Sequence, residues 1–253
     1  MLSGRNTALE NKTILITGAT SGIGEAFARL VRSRSPGAEL ILTGRRADRL
    51  EALAKELAAR TAVFDIQDRD AVARFASGIE KVDVLVNNAG LAAGLDTFQE
   101  ASLEDWEQMI DTNVKGLLYI TRALLPKMIA AKTGHIVNIG SVAGRQVYPK
   151  GHVYNATKFA VRAITESLRL DVQGLGIRVT EIQPGMVETE FSEVRFKGDK
   201  TKAQSVYTGL TPLSPDDVAE AIYWSLSQPK HVNVQEILIM PTDQASVRDA
   251  FRK

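Results

Sequence analysis

Seven short runs rich in β-branched and other apolar residues punctuate this chain, at 13–17, 39–43, 62–64, 82–86, 135–139, 178–182 and 236–239. Each predicts a strand. Between several of them apolar residues return at helical spacing: Ile23, Phe27, Leu30 and Val31; Leu50, Leu53, Ala54 and Leu57; Trp106, Ile110, Val114, Leu117 and Leu118. These stripes predict amphipathic helices packed on a core. Ile14-Leu15-Ile16 and Val84-Leu85-Val86 are apolar at successive positions rather than alternately, as in strands covered by helices on both faces. The expectation is an α/β fold, doubly wound, with a parallel, seven-stranded sheet. Ligands of such sheets bind beyond the carboxyl ends of the strands, so strand-end residues are the candidates for function. One stretch, 184–210, breaks the rhythm. It is irregular and charged (Arg195, Lys197, Asp199, Lys200, Lys202) and reads either as a substrate lid around 185–210 or as a solvated loop.

Composition narrows the picture. With 253 residues, 44% hydrophobic, the chain is long enough for one large domain, 1–253, and a second is not expected. A net charge of +1 gives no global attraction to nucleic acid or to a membrane, so any anion site must be local. The absence of cysteine removes disulfides, thiolate metal sites and cysteine nucleophiles, and fits a reducing compartment. The leader at 1–7 lacks an apolar core, and no apolar run approaches the roughly 20 residues of a membrane helix. A soluble, cytoplasmic protein with small-molecule partners is expected. His135, His152 and His231 are scattered, with no pairing that suggests a metal site, and none is expected. His152, two residues before Tyr154, is the one within reach of a substrate, although a loop role suits it better.

The first strand runs into Thr17-Gly18-Ala19-Thr20-Ser21-Gly22-Ile23-Gly24, which opens the first helix. Glycines there let backbone approach a pyrophosphate, and the helix N-terminus supplies N–H donors, so a Rossmann-type dinucleotide site is expected. The second strand ends at Gly44-Arg45-Arg46, where an acidic residue would hold the free ribose hydroxyls of NAD. Two guanidiniums suit a 2′-phosphate instead, so the predicted cofactor is NADP (NADPH). Asp65 closes the third strand within reach of an adenine amino group, and Asn87-Asn88-Ala89-Gly90 closes the fourth with small residues that admit a cofactor.

Tyr154 and Lys158 stand four apart on a predicted helix, which puts a phenol and an ammonium on one face. A free phenol has a pKa of about 10, too high for ready proton exchange at neutral pH, and a nearby cation favours its phenolate. Gly140-Ser141 ends the fifth strand. Asn113 lies on an apolar helix face, where a buried amide either bonds backbone locally or holds water in a functional network. Together Thr-Gly-x-x-x-Gly-x-Gly, Asn-Asn-Ala-Gly, the set Asn113, Ser141, Tyr154 and Lys158, and Pro184-Gly185 resemble, in order and over nearly the whole chain, the short-chain dehydrogenase/reductase family. The resemblance implies that Tyr154 is the acid-base and that Ser141 bonds the substrate carbonyl. It implies that Lys158 lowers the phenol's pKa and holds the nicotinamide ribose, and that Asn113 positions a water relay. Gly18, Thr20, Ser21, Gly22, Ile23, Gly24, Arg45, Arg46, Asp65, Asn88, Ala89 and Gly90 would then hold the cofactor, with Pro184, Gly185, Val187 and Thr189 at the carboxamide. A homotetramer is also implied.

Three segments, 42–46, 106–113 and 190–199, look like the NADP-dependent 3-hydroxy acid dehydrogenases that act on serine, 3-hydroxypropionate and related short hydroxy acids such as 3-hydroxyisobutyrate. An anionic substrate needs a cation. Arg195 fits by type, since its planar fork binds a carboxylate or sulfonate through two hydrogen bonds, and Arg145 and Lys150 are alternatives. Sulfoacetaldehyde reductases share the architecture and the need for a cation. A serine hydrolase is excluded because Ile139-Gly140-Ser141-Val142-Ala143 lacks the second glycine of a nucleophile elbow. A non-catalytic NADP sensor is the rival from another class, although its usual sign, a broken tetrad, is absent.

Overall fold

The computed structural model describes residues 8–253; the leader read at 1–7 lies outside the described residues. The strands β1 (Thr13–Thr17), β2 (Glu39–Gly44), β3 (Arg60–Val63), β4 (Val84–Asn87), β5 (Gly134–Ile139), β6 (Ile177–Pro184) and β7 (Glu236–Ile239) form one parallel sheet in the order β3-β2-β1-β4-β5-β6-β7. The order reverses between β1 and β4, and that switch point opens a crevice at their carboxyl ends. β3 begins earlier than its apolar run. Its backbone pairs from Arg60, an exposed residue on an edge strand where burial does not govern the pattern.

Successive side chains of a strand face opposite sides, and β1 shows it. Ile14 and Ile16 enter a core with Phe27 and Val31 of α1 (Gly22–Arg34), Leu50 of α2 (Ala47–Leu57) and Ile222 of α9 (Pro215–Leu226). Leu15 enters the opposite core, with Val72 of α3 (Arg69–Ser77) and Leu124 and Met128 of α5 (Leu117–Ala131). Both faces of the sheet are covered, which accounts for the unbroken apolar strands. Among the described residues no helix is long and apolar enough to cross a membrane.

The apolar stripe from Trp106 to Leu118 does not continue as expected. α4 (Leu103–Ile110) passes into a π-helical stretch, Asp111–Gly116, before α5 begins. The wider turn rotates the chain out of the 3.6-residue register. Leu118, beyond the turn, is 42% exposed, while Thr112, Asn113 and Gly116 turn inward; Ile110, before it, is 40% exposed because Met109 takes the inward position on α4. The stretch read as irregular also contains helix: α7 (Phe191–Arg195) and α8 (Lys200–Ser205), the latter capped by Asp199, whose carboxylate accepts from Lys202 N at 3.0 Å.

Candidate active site

A cleft of about 430 Å³ follows the carboxyl ends of β1, β4, β5 and β6, within the size range of small-molecule sites. Gly18, Thr20, Ser21, Gly22, Ile23, Arg45, Arg46 and Asp65 line one end. Asn88, Ala89 and Gly90 line its middle, and Ser141, Tyr154, Lys158, Pro184, Gly185, Val187 and Thr189 the other end. Gly24 lies behind this wall, where an added Cβ would meet Asn88 Nδ2 at 2.5 Å.

The turn from β1 into α1 is shaped by contacts that leave no room for side chains. Gly18 has φ +65°, and a Cβ there would lie 2.8 Å from Ala89 Cα, so only glycine lets β1 and β4 end this close together. Thr17 Oγ1 accepts from Asn88 N and Ala89 N, both at 3.0 Å, and Asn88 Nδ2 donates back to Thr17 O and Gly18 O at 3.0 and 3.1 Å. Ser21 stands at the N-cap of α1 without capping it, its hydroxyl instead accepting from Arg46 Nη2 at 2.7 Å. The first-turn N–H groups of α1 thus keep their capacity for an anion in the cleft.

Arg46 is held by three partners. Its Nε and Nη2 donate to Thr20 Oγ1 at 3.1 and 2.8 Å, and its Nη1 lies 2.7 Å from Glu190 Oε2. Arg49 also reaches Glu190, at 2.6 Å. Arg45 is more exposed and faces Asp65 at 3.3 Å, while the other oxygen of Asp65 accepts from Gln67 N. Arg49 was not singled out by sequence, its only signal being a basic residue one turn into α2, and Glu190 entered only as the first residue of the 190–199 segment, with no role assigned to it.

Tyr154 and Lys158 stand one turn apart on α6 (His152–Asp171) and both reach the cleft. The Lys158 ammonium donates to Ile139 O at 2.9 Å and lies 5.8 Å from the Tyr154 ring centre. Burial pushes its pKa down to about 8, opposed by the carboxylate of Glu181. Glu181 is itself wholly buried, behind Gly140, and burial raises it to about 7. The phenol of Tyr154 is raised by burial and drawn back by the charge of Arg195 and a hydrogen bond with Ser141. A cation beyond the expected Lys158 thus stands beside the phenol: Arg195. The Arg195 guanidinium lies 5.0 Å from the Tyr154 ring centre and donates to Tyr148 Oη at 2.7 Å. Ser141 Oγ accepts from Ala143 N at 3.1 Å, which aims the hydroxyl from the end of β5.

Two expected residues lie elsewhere. Arg145 turns away from the cleft: its guanidinium is bound to Gln183 and Glu236 on β6 and β7. Asn113 does not line the cleft either. Its Oδ1 accepts from Leu91 N at 2.8 Å, and its Nδ2 donates to Leu91 O at 2.8 Å and Thr157 Oγ1 at 3.1 Å, so the π-helical turn ties the loop after β4 to α6. The local backbone bonding considered from sequence is what the amide does. Lys150 borders a smaller recess shared by Tyr148, Tyr154, Trp106, His152 and Arg195. His152 packs against Phe98 and Trp106, His135 is buried beside Thr180, and His231 is exposed.

A family model, short chain dehydrogenase, matches residues 12–200. The chain is 49% identical over 239 residues to the NADP-dependent 3-hydroxy acid dehydrogenase YdfG of Salmonella typhi, covering 92% of this chain and 96% of that protein. It is also 49% identical over 241 residues to sulfoacetaldehyde reductase 2 of Chromohalobacter salexigens, covering 92% and 95%. Among solved structures, the closed form of a serine dehydrogenase complexed with NADP+ superposes with a TM-score of 0.89 at 46% identity, covering 92% and 96% of the two chains. With the doubly wound sheet, the glycine turn at its switch point and a family match over residues 12–200, this chain belongs to the short chain dehydrogenase family.

Proposed function

We propose that this protein is an NADP(H)-dependent oxidoreductase that interconverts a short 3-hydroxy acid and its oxo or semialdehyde form. The observation that carries the reading is the position of Arg195: a guanidinium 5.0 Å from the ring of Tyr154, in the recess on the other side of that ring from a cleft whose far end carries Arg45 and Arg46. One end suits the anionic group of a substrate beside an acid-base, and the other suits the 2′-phosphate of a dinucleotide. Three features fit NADP: the uncapped N-terminus of α1, the close approach at Gly18, and a cleft long enough to join the two ends.

A bound nicotinamide would supply the hydride chemistry, as acceptor in oxidation and donor in reduction. In oxidation Tyr154, as phenolate, takes the hydroxyl proton of the substrate while Ser141 donates a hydrogen bond to the same oxygen. In reduction Tyr154 returns the proton as charge grows on that oxygen. Lys158, fixed to Ile139 O, would hold the nicotinamide ribose, and Val187 and Thr189 would hold the carboxamide. Arg195 binds the substrate carboxylate through its planar fork, with Lys150 at the rim of the adjoining recess. Asn113 acts indirectly, by setting the loop that carries Gly90 and Leu91. The segment 185–210 serves as the lid, because α7 brings Arg195 to the site. Exposed Ile110 and Leu118 on the long helix and Phe159 on α6 support a homotetramer built on these helices, which light scattering of the purified protein tests.

Reduction of NADP+ followed with L-serine, 3-hydroxypropionate, 3-hydroxyisobutyrate and isethionate tests the proposal. Turnover of at least one carboxylate in preference to isethionate is expected. Isethionate as the best substrate would favour the second reading, a sulfoacetaldehyde reductase, which the 49% identity to such an enzyme and the sulfonate-binding capacity of Arg195 support. NADPH binding without turnover of any of the four would indicate the sensor.

A further inference from the structure

Glu190 immediately precedes α7, in the N-cap position, yet its carboxylate does not cap that helix. It crosses the cleft to α2 instead, where Arg46 Nη1 lies 2.7 Å from one oxygen and Arg49 Nη1 2.6 Å from the other. Two guanidiniums converging on one anion are the arrangement that binds a phosphate. Arg46 and Glu190 both line the cleft, at the end where the proposed function puts the 2′-phosphate. Thr20 and Ser21 hold the rest of the Arg46 guanidinium, so the edge facing Glu190 is the edge left to meet a ligand. The bond to Arg46 keeps Glu190 below the usual carboxylate range, so the anion persists across neutral pH.

We infer that Glu190 is a specificity-determining residue for the cofactor: it occupies an Arg46–Arg49 anion receptor as an internal anion, and only a phosphorylated nucleotide competes for that receptor. The inference rests on the reading of Arg46 as a 2′-phosphate contact. A phosphate and a carboxylate repel one another across the same pair of cations, so the phosphate must displace Glu190 or share its donors at a cost. The ribose hydroxyls of NAD carry no charge and leave the ion pairs intact. Arg49 becomes part of the phosphate receptor, and Glu190 weakens NADP binding relative to its limit without touching NAD. Because Glu190 leads directly into α7, the same exchange releases the tether on the helix that carries Arg195.

Equilibrium titration of nucleotide fluorescence tests this without turnover. NADPH and NADH are titrated into wild type, Glu190→Gln, Glu190→Asp, Arg46→Gln and Arg49→Gln. Exposed ion pairs of this kind are each worth about 1.4- to 5-fold, so Glu190→Gln is expected to tighten NADPH binding by about two- to thirtyfold. NADH affinity should hold within about twofold, which also serves as the folding control. Glu190→Asp, too short to span both arginines, should fall between, and Arg49→Gln should weaken NADPH more than NADH. An unchanged or weakened NADPH affinity in Glu190→Gln, with Arg46→Gln still selective against NADPH, overturns the inference alone. Equal loss of both nucleotides in Arg46→Gln overturns the reading beneath it as well.

Discussion

The guanidinium carbon of Arg195 lies 5.0 Å from the centre of the Tyr154 ring, nearer than the Lys158 ammonium at 5.8 Å. Lys158 belongs to the same helix as Tyr154 and is fixed to Ile139 O, whereas Arg195 arrives on α7, from the segment beyond β6. A charge that opposes burial of the phenol therefore comes from α7, outside the helix that carries Tyr154 and Lys158. Under the proposed function, with 185–210 as lid and Tyr154 as acid-base, the phenol is matched to the operating pH only when α7 is in place.

Replacing Arg195 by Gln should show both of its roles. Loss of a charged, bidentate hydrogen bond costs about 1.5–3 kcal/mol, so the KM for the hydroxy acid is expected to rise by at least about tenfold. Removing the cation also raises the pKa of Tyr154, since the phenolate loses its partner. In the oxidative direction, where phenolate is the active form, the rising limb of kcat against pH should move to higher pH. Steady-state profiles of wild type and variant check this, and a limb that stays in place would separate Arg195 from the phenol.

Tyr154→Phe isolates the hydroxyl, because the ring keeps its edge contact with Phe191, 5.6 Å between centres. NADPH affinity should be retained while turnover falls by at least about a hundredfold, the scale of a lost acid-base group. Binding by fluorescence and turnover on the best hydroxy acid are measured side by side. Wild-type turnover in the variant would reject the assignment.

The two arginines at the end of β2 make different contacts, and the prediction for them takes this into account. Arg46 also organises Thr20 and Ser21, so its loss loosens the glycine turn for either nucleotide, whereas Arg45 meets Asp65 alone among these groups. Only the ratio isolates the phosphate. In the variant with Arg45 and Arg46 both replaced by Gln, the KM ratio of NADPH to NADH should rise by about tenfold or more, as charge-assisted contacts are lost. An unchanged ratio, whatever the absolute losses, would remove both residues from phosphate recognition.

What could be read beforehand depended on how local each cause is. Gly18 and Gly24 are required by close approach next to a strand end, and a glycine spaced so after an apolar run carries that information in a few residues. Tyr154 and Lys158 share a helix face by spacing alone. The guanidiniums were harder, since residue type shows what a cation can bind but not which partner reaches it. Arg145 is taken by Gln183 and Glu236, and Arg46 by Glu190, from segments 38, 91 and 144 residues away. The exposed Leu118 was misassigned to the core because one π-helical turn at Asn113, with no signature in apolar periodicity, shifts the face that follows, and Ile110 because its neighbour Met109 takes the inward position on α4.

Stability at acid pH should depend on a residue far from the chemistry. His135 on β5 is 2% exposed, with Nε2 2.7 Å from Thr180 Oγ1. That hydroxyl spends its own proton on Val234 O at 2.6 Å, so the imidazole must donate through Nε2–H and stays neutral, with Nδ1 buried. Burial, aided by the charge of Arg178, pushes its pKa from the ordinary 6.5 down to about 3. The unfolded chain therefore binds one proton more than the folded one between these values. The contribution of neutral His135 is complete above the unfolded pKa and is lost as pH falls towards the folded one, at about 1.4 kcal/mol per pH unit. Urea unfolding of wild type and His135→Gln at pH 7.5, 5.5 and 4.5 measures it. The variant should be the less stable at pH 7.5, where it loses imidazole packing, and the gap should narrow as pH falls, because Gln has no proton to take up. A gap that stays constant with pH would place the acid sensitivity in other groups.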